Sequence, residues 1–356
     1  MHGGFNVIIG NPPYVEYSKV RKEYTVHGFK TESCGNLYAY FLERSRKLLI
    51  DIGRCGMIIQ NSIVSTDRME PIQQFLIANY DSIFSNFDDR PAKLFSGLNH
   101  MKGTIVLCSY RKDKATYGTK FLRWYDEARG NIFECLHHLD ISEFLLYRGH
   151  IPKISFSIEK SILKKIFAHK PLKLVLKTSG RKIYCHRIAS YFIKSTDFVP
   201  YFFNEKEGQK KSEDYKEYFV ESHKEQKILM CLFNSGTFFY FWHVFFDGYH
   251  CGRANIENFP FTFSLKSTIE NDLIQLSEKI KSSYKANCNR RETYYKSTGK
   301  VIYDELFPSK SKAIIDEIDY LVAQHYGFTD EELDFIINYD IKYRMGREMG
   351  EEAEEV

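Results

Sequence analysis

Residues 5 to 14 constrain the fold more than any other stretch of the chain. Phe5-Asn6-Val7-Ile8-Ile9 is a short apolar, β-branched run, closed by Gly10 and then by Asn11-Pro12-Pro13-Tyr14. The run reads as a buried strand, and two consecutive prolines cannot continue it, because each lacks an N–H and has a fixed φ. Further strands are expected at Cys55–Gln60, Ser82–Phe87 and Thr104–Tyr110, with an amphipathic helix over Leu37–Leu49 between the first two. Strands alternating with helical stretches imply an α/β layer with a largely parallel sheet over residues 1–112. In such a sheet ligands bind beyond the carboxyl ends of the strands, which is where Asn11 to Tyr14 lie.

After Lys112 the alternation stops. Residues 113–265 are rich in Phe, Tyr and Ile in short runs broken by turn residues, a mixed α+β pattern. From 266 to 356 the chain reads as helical. Ile269, Leu273, Leu276 and Ile280 form one apolar stripe, and Ile314, Ile318, Leu321 and His325 form another, with Gly327 as its stop. Thr329-Asp330-Glu331-Glu332 is a capping box opening a last helix.

The 356 residues are 43% hydrophobic and 27% charged, a globular composition with no run long enough for a membrane-spanning helix. No basic segment followed by an apolar one opens the chain, so a cytoplasmic location is expected. The eight cysteines are scattered singly, which suggests neither a zinc site nor a redox pair. The net charge of +4 becomes +9 once the five glutamates between Glu348 and Glu355 are set aside. Between Arg148 and Arg187 there are eleven Lys and Arg, Lys164, Lys165, Arg181 and Lys182 among them, against Glu159 alone. That excess is the footprint expected of a surface facing phosphates.

The turn after the first strand has a specific chemical use. An exocyclic adenine amine is a poor nucleophile, because its lone pair is delocalised into the ring. To attack a methyl sulfonium it needs acceptors for its N–H groups and a pocket that holds the base out of the duplex. The Asn11 side-chain carbonyl and the Pro12 backbone carbonyl can supply those acceptors, Pro13 helps to preset them, and Tyr14 offers a flat face for the base. Direct displacement of this kind requires no metal and no covalent enzyme intermediate.

Gly4 to Tyr14 resembles the fourth motif of amino-methyltransferases, in the form found in Type IIG restriction-modification enzymes. Gly35-Asn36-Leu37-Tyr38 with Phe41 is similar to the fifth motif, Gly56 to Ser62 to the sixth, and Arg90 to Phe95 to a segment near the DNA-facing loop. Tyr326–Thr329 and Asp334–Asp340 resemble the ending of many Type IIG chains. The resemblance spans residues 4–110 and 314–346. It is weak in between, where Asn255 to Phe261 is similar to the end of a target-recognition domain.

The fold it implies is the C-terminal part of a Rossmann-like methyltransferase sheet, followed by an α+β target-recognition domain and a helical C-terminal segment. It implies an N6-adenine-specific DNA methyltransferase using S-adenosylmethionine, with double-stranded DNA as partner. Tyr110, or else Phe87, would stack on the second face of the flipped base. Arg90 and Lys93 would contact phosphates, and Asn36 would lie near the cofactor. The glycine-rich turn and acidic residue that hold the cofactor in this family have no counterpart, since neither Gly3-Gly4 nor Gly53-Arg54-Cys55-Gly56 has the right spacing. The expectation is therefore a split or truncated enzyme, whose first strand would show an unpaired apolar edge and an uncovered face until a separate chain supplied the cofactor-binding half. Glu225-Gln226-Lys227 lacks the preceding Pro-Asp of a nuclease. Two other functions compete: a non-catalytic DNA-binding or specificity module, and a methyltransferase for RNA or a protein glutamine.

Overall fold

The computed structural model describes residues 4–95, 97, 101–110, 114–145 and 149–346; Gly3, Arg148 and the glutamates from Glu348 to Glu355 lie outside them. The chain divides into two compact units, Met1–Glu159 with His243–Asp247, and Lys160–Trp242 with Gly248–Val356.

The first unit is built on a six-stranded sheet of β1 (Phe5–Gly10), β2 (Leu49–Gln60), β3 (Asp81–Phe87), β4 (Gly103–Ser109), β5 (Thr116–Leu122) and β6 (Leu139–Asp140), in the order β1-β2-β4-β3-β5-β6. β1 runs parallel to β2, with Gly10 opposite Met57, and β3 runs parallel to β5. β4 is antiparallel to both of its neighbours, so the largely parallel sheet expected from sequence is a mixed one. The reason is local: among the described residues no helix lies between β3 and β4, and without a crossover consecutive strands pair antiparallel.

The boundary expected at residue 112 falls inside this sheet, because β5 pairs with β3 and β6 with β5. β2 alternates cleanly from Gly53 onward, with Gly53, Cys55, Met57 and Ile59 buried and the residues between them not. The buried side faces helices Leu37–Leu48 and Glu70–Asn79. On the other side Val7, Ile9, Ile52 and Leu107 are 54%, 82%, 78% and 44% exposed, bordering an open hollow of about 920 Å³. Among the described residues β1 pairs only with β2, so its outer edge has no neighbour.

The second unit holds β7 (Arg181–His186), β8 (Ser195–Thr196), β9 (Phe202–Asn204), β10 (Gly208–Gln209), β11 (Tyr215–Val220), β12 (Asn289–Tyr295) and β13 (Gly299–Glu305). They form a three-stranded sheet, β11-β7-β8, and a four-stranded one, β10-β9-β13-β12. The β12–β13 hairpin corrects the reading of 266–356 as helical, and its pairing with β9 ties that segment to residues assigned to the preceding domain. It escaped notice because β12 is polar and largely exposed, without the apolar alternation that marks a half-buried strand.

Helix Lys312–Tyr326 ends at Gly327 with φ +71, as its left-handed cap requires. The capping box is present too, with the Thr329 hydroxyl accepting from the Glu332 N–H and the Glu332 carboxylate from the Thr329 N–H. Thr329→Ala is expected to cost about 1 kcal/mol in a urea titration, the usual loss for a removed N-cap.

Candidate active site at the carboxyl edge of the first sheet

β1, β2, β3 and β5 all point their carboxyl ends to one edge of the sheet, and the loops leaving them carry the polar groups of the site. Asn11 is exposed, Pro12 buried, Pro13 exposed and Tyr14 half-buried. The Tyr14 hydroxyl donates to the Asn11 side-chain carbonyl and, at 2.9 Å, to the backbone carbonyl of Ile58 on β2. Burial pushes the Tyr14 phenol up from its ordinary pKa, so it stays a neutral donor. The Asn11 side chain is thus fixed by a hydroxyl anchored to the neighbouring strand, and its carbonyl oxygen retains a second lone pair for another donor.

The chain leaving the turn is tied down as well. The Leu37 N–H donates to Val15 at 2.9 Å and the Tyr17 N–H to Gly35 at 2.8 Å. Arg68 holds the Glu16 carboxylate through two contacts of 2.7 and 3.0 Å, and the Asn36 amide adds a third at 3.2 Å. Burial works to raise the Glu16 carboxyl, but Arg68 and Asn36 together hold it below the usual range. Asn36 also accepts from the Tyr38 N–H as the helix N-cap and is only 3% exposed. The Asn36 amide thus serves the fold on both sides, donating one N–H to Glu16 and accepting one at its carbonyl.

Beyond β3 lies a buried ionic cluster that sequence reasoning missed. The Asp88 carboxylate meets Lys102 at 2.9 Å and Arg123 at 2.6 Å, and Arg123 approaches the His243 ring at 3.1 Å. Burial would raise the Asp88 carboxyl, but Lys102, Arg123 and His243 outweigh it and hold the group well below its ordinary value. The Asp88-Asp89-Arg90 run at a strand end was the available signal; Arg123 and His243 arrive from distant segments.

Arg90 and Lys93 are half-buried in the loop that follows, whose carbonyls at Lys93 and Leu94 accept from Arg129 at 2.7 and 2.8 Å. This loop shares the edge with Asn11 but starts three strands away, about 14 Å at the normal strand spacing.

Other expected members are not brought together with Tyr14. Tyr110 follows β4, whose Ser109 pairs with Arg54 and Asp81, near the amino ends of β2 and β3. It borders the same open hollow as Asn11 but lies about 16 Å farther along the strand direction, too far to sandwich one base with Tyr14. Phe87 is fully buried against Trp124 in a core cluster.

The basic stretch is divided in burial and pairing. Lys153 is fully buried in the first unit, while Lys165 pairs with Glu332, Lys182 with Glu217 and Arg187 with Asp214 in the second. Lys164, Lys170, Lys173, Lys177 and Arg181 are exposed, as are the paired Lys182 and Arg187. Charges adjacent in sequence thus differ in burial and in pairing.

Residues 1–94 match the family model described as Eco57I restriction-modification methylase. No curated protein matches the chain. Solved structures similar to it include the Type IIL restriction-modification enzyme MmeI in complex with DNA, at 11% identity and a TM-score of 0.47, over 95% of this chain and 57% of that one. The type IIG restriction endonuclease BpuSI is similar at 10% identity and a TM-score of 0.33, over 97% and 55%. The DNA-bound ATP-dependent Type ISP restriction-modification enzyme LlaBIII is similar at 12% identity and 0.38, over 81% and 30%. The chain spans little more than half the length of these proteins at most.

Proposed function

We propose that this chain carries the base-binding side of the active site of a DNA adenine methyltransferase from a restriction-modification system, with S-adenosylmethionine as the methyl donor. The observation that carries the reading is the turn after β1, where the Tyr14 hydroxyl fixes the Asn11 carbonyl at the edge of the sheet. Asn11 and the Pro12 carbonyl accept the two N–H groups of a flipped adenine. Drawing those hydrogens toward oxygen raises electron density on the amine nitrogen, and Tyr14 bounds the pocket on one side. Pro12 and Pro13 offer no N–H that would compete for the same acceptors.

The donor supplies an electrophilic methyl group, but the described residues do not fit it. Asn36 is buried and engaged, and the remaining wall of the site is the open apolar face of β1, β2 and β4. A cofactor-binding segment, in the same polypeptide or a separate one, is proposed to cover that face and pair with the free edge of β1. The second unit is proposed to read the duplex.

Tritiated methyl transfer to an adenine-containing duplex is expected only when the chain is supplemented with a segment bearing the glycine-rich cofactor motif. Micromolar binding of S-adenosylmethionine by this chain alone, measured by calorimetry, would refute the divided site. Duplex binding with no methylation in the supplemented mixture would instead identify a specificity module.

A further inference from the structure

The second unit carries a pocket that the adenine site does not use. Lys216, Tyr218 and Glu217 on β11, Arg187 just after β7, and Gly252 and Arg253 enclose about 340 Å³. Three cations and one acid line it, and two of the cations, Arg187 and Arg253, are ion-paired to Asp214 and Glu257. Glu217 is the only acid, and its carboxylate is drawn toward Lys182 at 3.2 Å and Lys211 at 3.9 Å. The Lys216 side chain is exposed and makes no ion pair or hydrogen bond among the described residues. Arg187 uses its Nε on Asp214 at 2.6 Å, which leaves its terminal nitrogens without a hydrogen bond among those residues. Arg253 stands over the Tyr218 ring at 5.3 Å.

The second observation is Tyr218 itself. It is 1% exposed, yet its hydroxyl has no hydrogen-bond partner among the described residues. A buried hydroxyl left unpaired costs free energy, and a pocket lined by three cations would satisfy it with an anionic oxygen. Arg187 also lines a second cleft of about 450 Å³, which carries the half-buried rings of Tyr201, Tyr249, Tyr295 and Tyr303. A pocket with cationic side chains that shares Arg187 with an aromatic cleft can hold a phosphate and stack the base attached to it.

We propose that the second unit binds a nucleotide, with its phosphate against Lys216, Arg253, Arg187 and the Tyr218 hydroxyl, and its base in the tyrosine-lined cleft. The nucleotide comes either from an unstacked position in a strand or from the free pool. The site lies wholly within the second unit and does not depend on methyl transfer or on any cofactor-binding segment.

Fluorescence anisotropy of the full chain with a labelled single-stranded dT12, and calorimetry with free TMP, test it without a methyl donor. Strand binding alone assigns the site to an unstacked nucleotide, and TMP binding alone assigns it to the free pool; either supports the proposal. Tyr218→Phe removes only the unpaired hydroxyl, so it is expected to leave thermal stability unchanged or raised while weakening binding about tenfold or more. Lys216→Ala is expected to weaken binding and lower the salt slope by about one. No binding of either probe, or binding that both variants leave intact, would overturn the proposal.

Discussion

Replacing Asn11 with alanine is expected to lower methyl transfer by about 10²–10³-fold in the supplemented enzyme, with duplex binding nearly unchanged. The size follows from removing one preorganised polar group aimed at charge that develops during reaction. The Asn11 carbonyl is exposed and positioned by Tyr14, so its loss leaves no buried group unpaired and little folding stability is at stake. Tyr14→Phe provides the internal comparison. It keeps the ring but deletes the hydroxyl that joins Asn11 to Ile58, and it should fall between wild type and Asn11→Ala. Single-turnover rates separate these effects from binding. Unchanged turnover in Asn11→Ala would remove the central support for the proposed chemistry.

The largest stability effect is expected from Asp88→Asn, at about 3–5 kcal/mol, the range for removing one partner of a buried ion pair. Asp88 and Arg123 are almost fully buried, and Lys102 is mostly so. Without the carboxylate, Arg123 loses its partner at 2.6 Å and Lys102 its partner at 2.9 Å, which leaves Lys102 the longer approach of Asp89 at 3.9 Å in a low-dielectric interior. Lys153 lies in the same interior: it is fully buried over the Phe121 ring at 4.9 Å, its amine without a hydrogen-bond partner among the described residues. Burial and Lys102 push its ammonium well below its ordinary value, with Asp247 and Asp88 opposing that shift.

The pH dependence of Asp88 has a definite sign. Its folded carboxyl lies well below the unfolded value of about 3.9, so its contribution is fully present above that pH. The contribution is lost as pH falls below about 3.9 toward the folded value. Urea midpoints of wild type and Asp88→Asn, taken at neutral and acid pH, should converge as the pH drops. By contrast, the Glu16–Arg68 pair is partly exposed and is expected to contribute under about 1 kcal/mol.

The elements that sequence located well are those specified by near neighbours. β1 and its turn were legible because an apolar run cannot pass through Pro12-Pro13. The ends of the helices near Gly327 and Thr329 were legible because capping is a matter of three or four consecutive residues. Strand position was visible in β2, β3 and β4, but strand direction was not, since residues alternate across a sheet whichever way the chain runs. That is why Tyr110 was placed at the right end of its strand but at the wrong edge of the sheet.

The turn sequence by itself determined that the chain would leave a strand end through two prolines that fix φ and bring no N–H. Tertiary structure alone decided what stands around it. It brought Ile58 under the Tyr14 hydroxyl, spent Asn36 on Glu16, and joined Asp88 to Arg123 and His243 across long sequence separations. It also distributed the basic stretch from Lys153 to Arg187 between a buried amine, ion pairs and open surface. A turn is fixed by the covalent limits of a few residues, whereas a charge acquires its partner, its burial and its pKa only from whatever the folded chain packs against it.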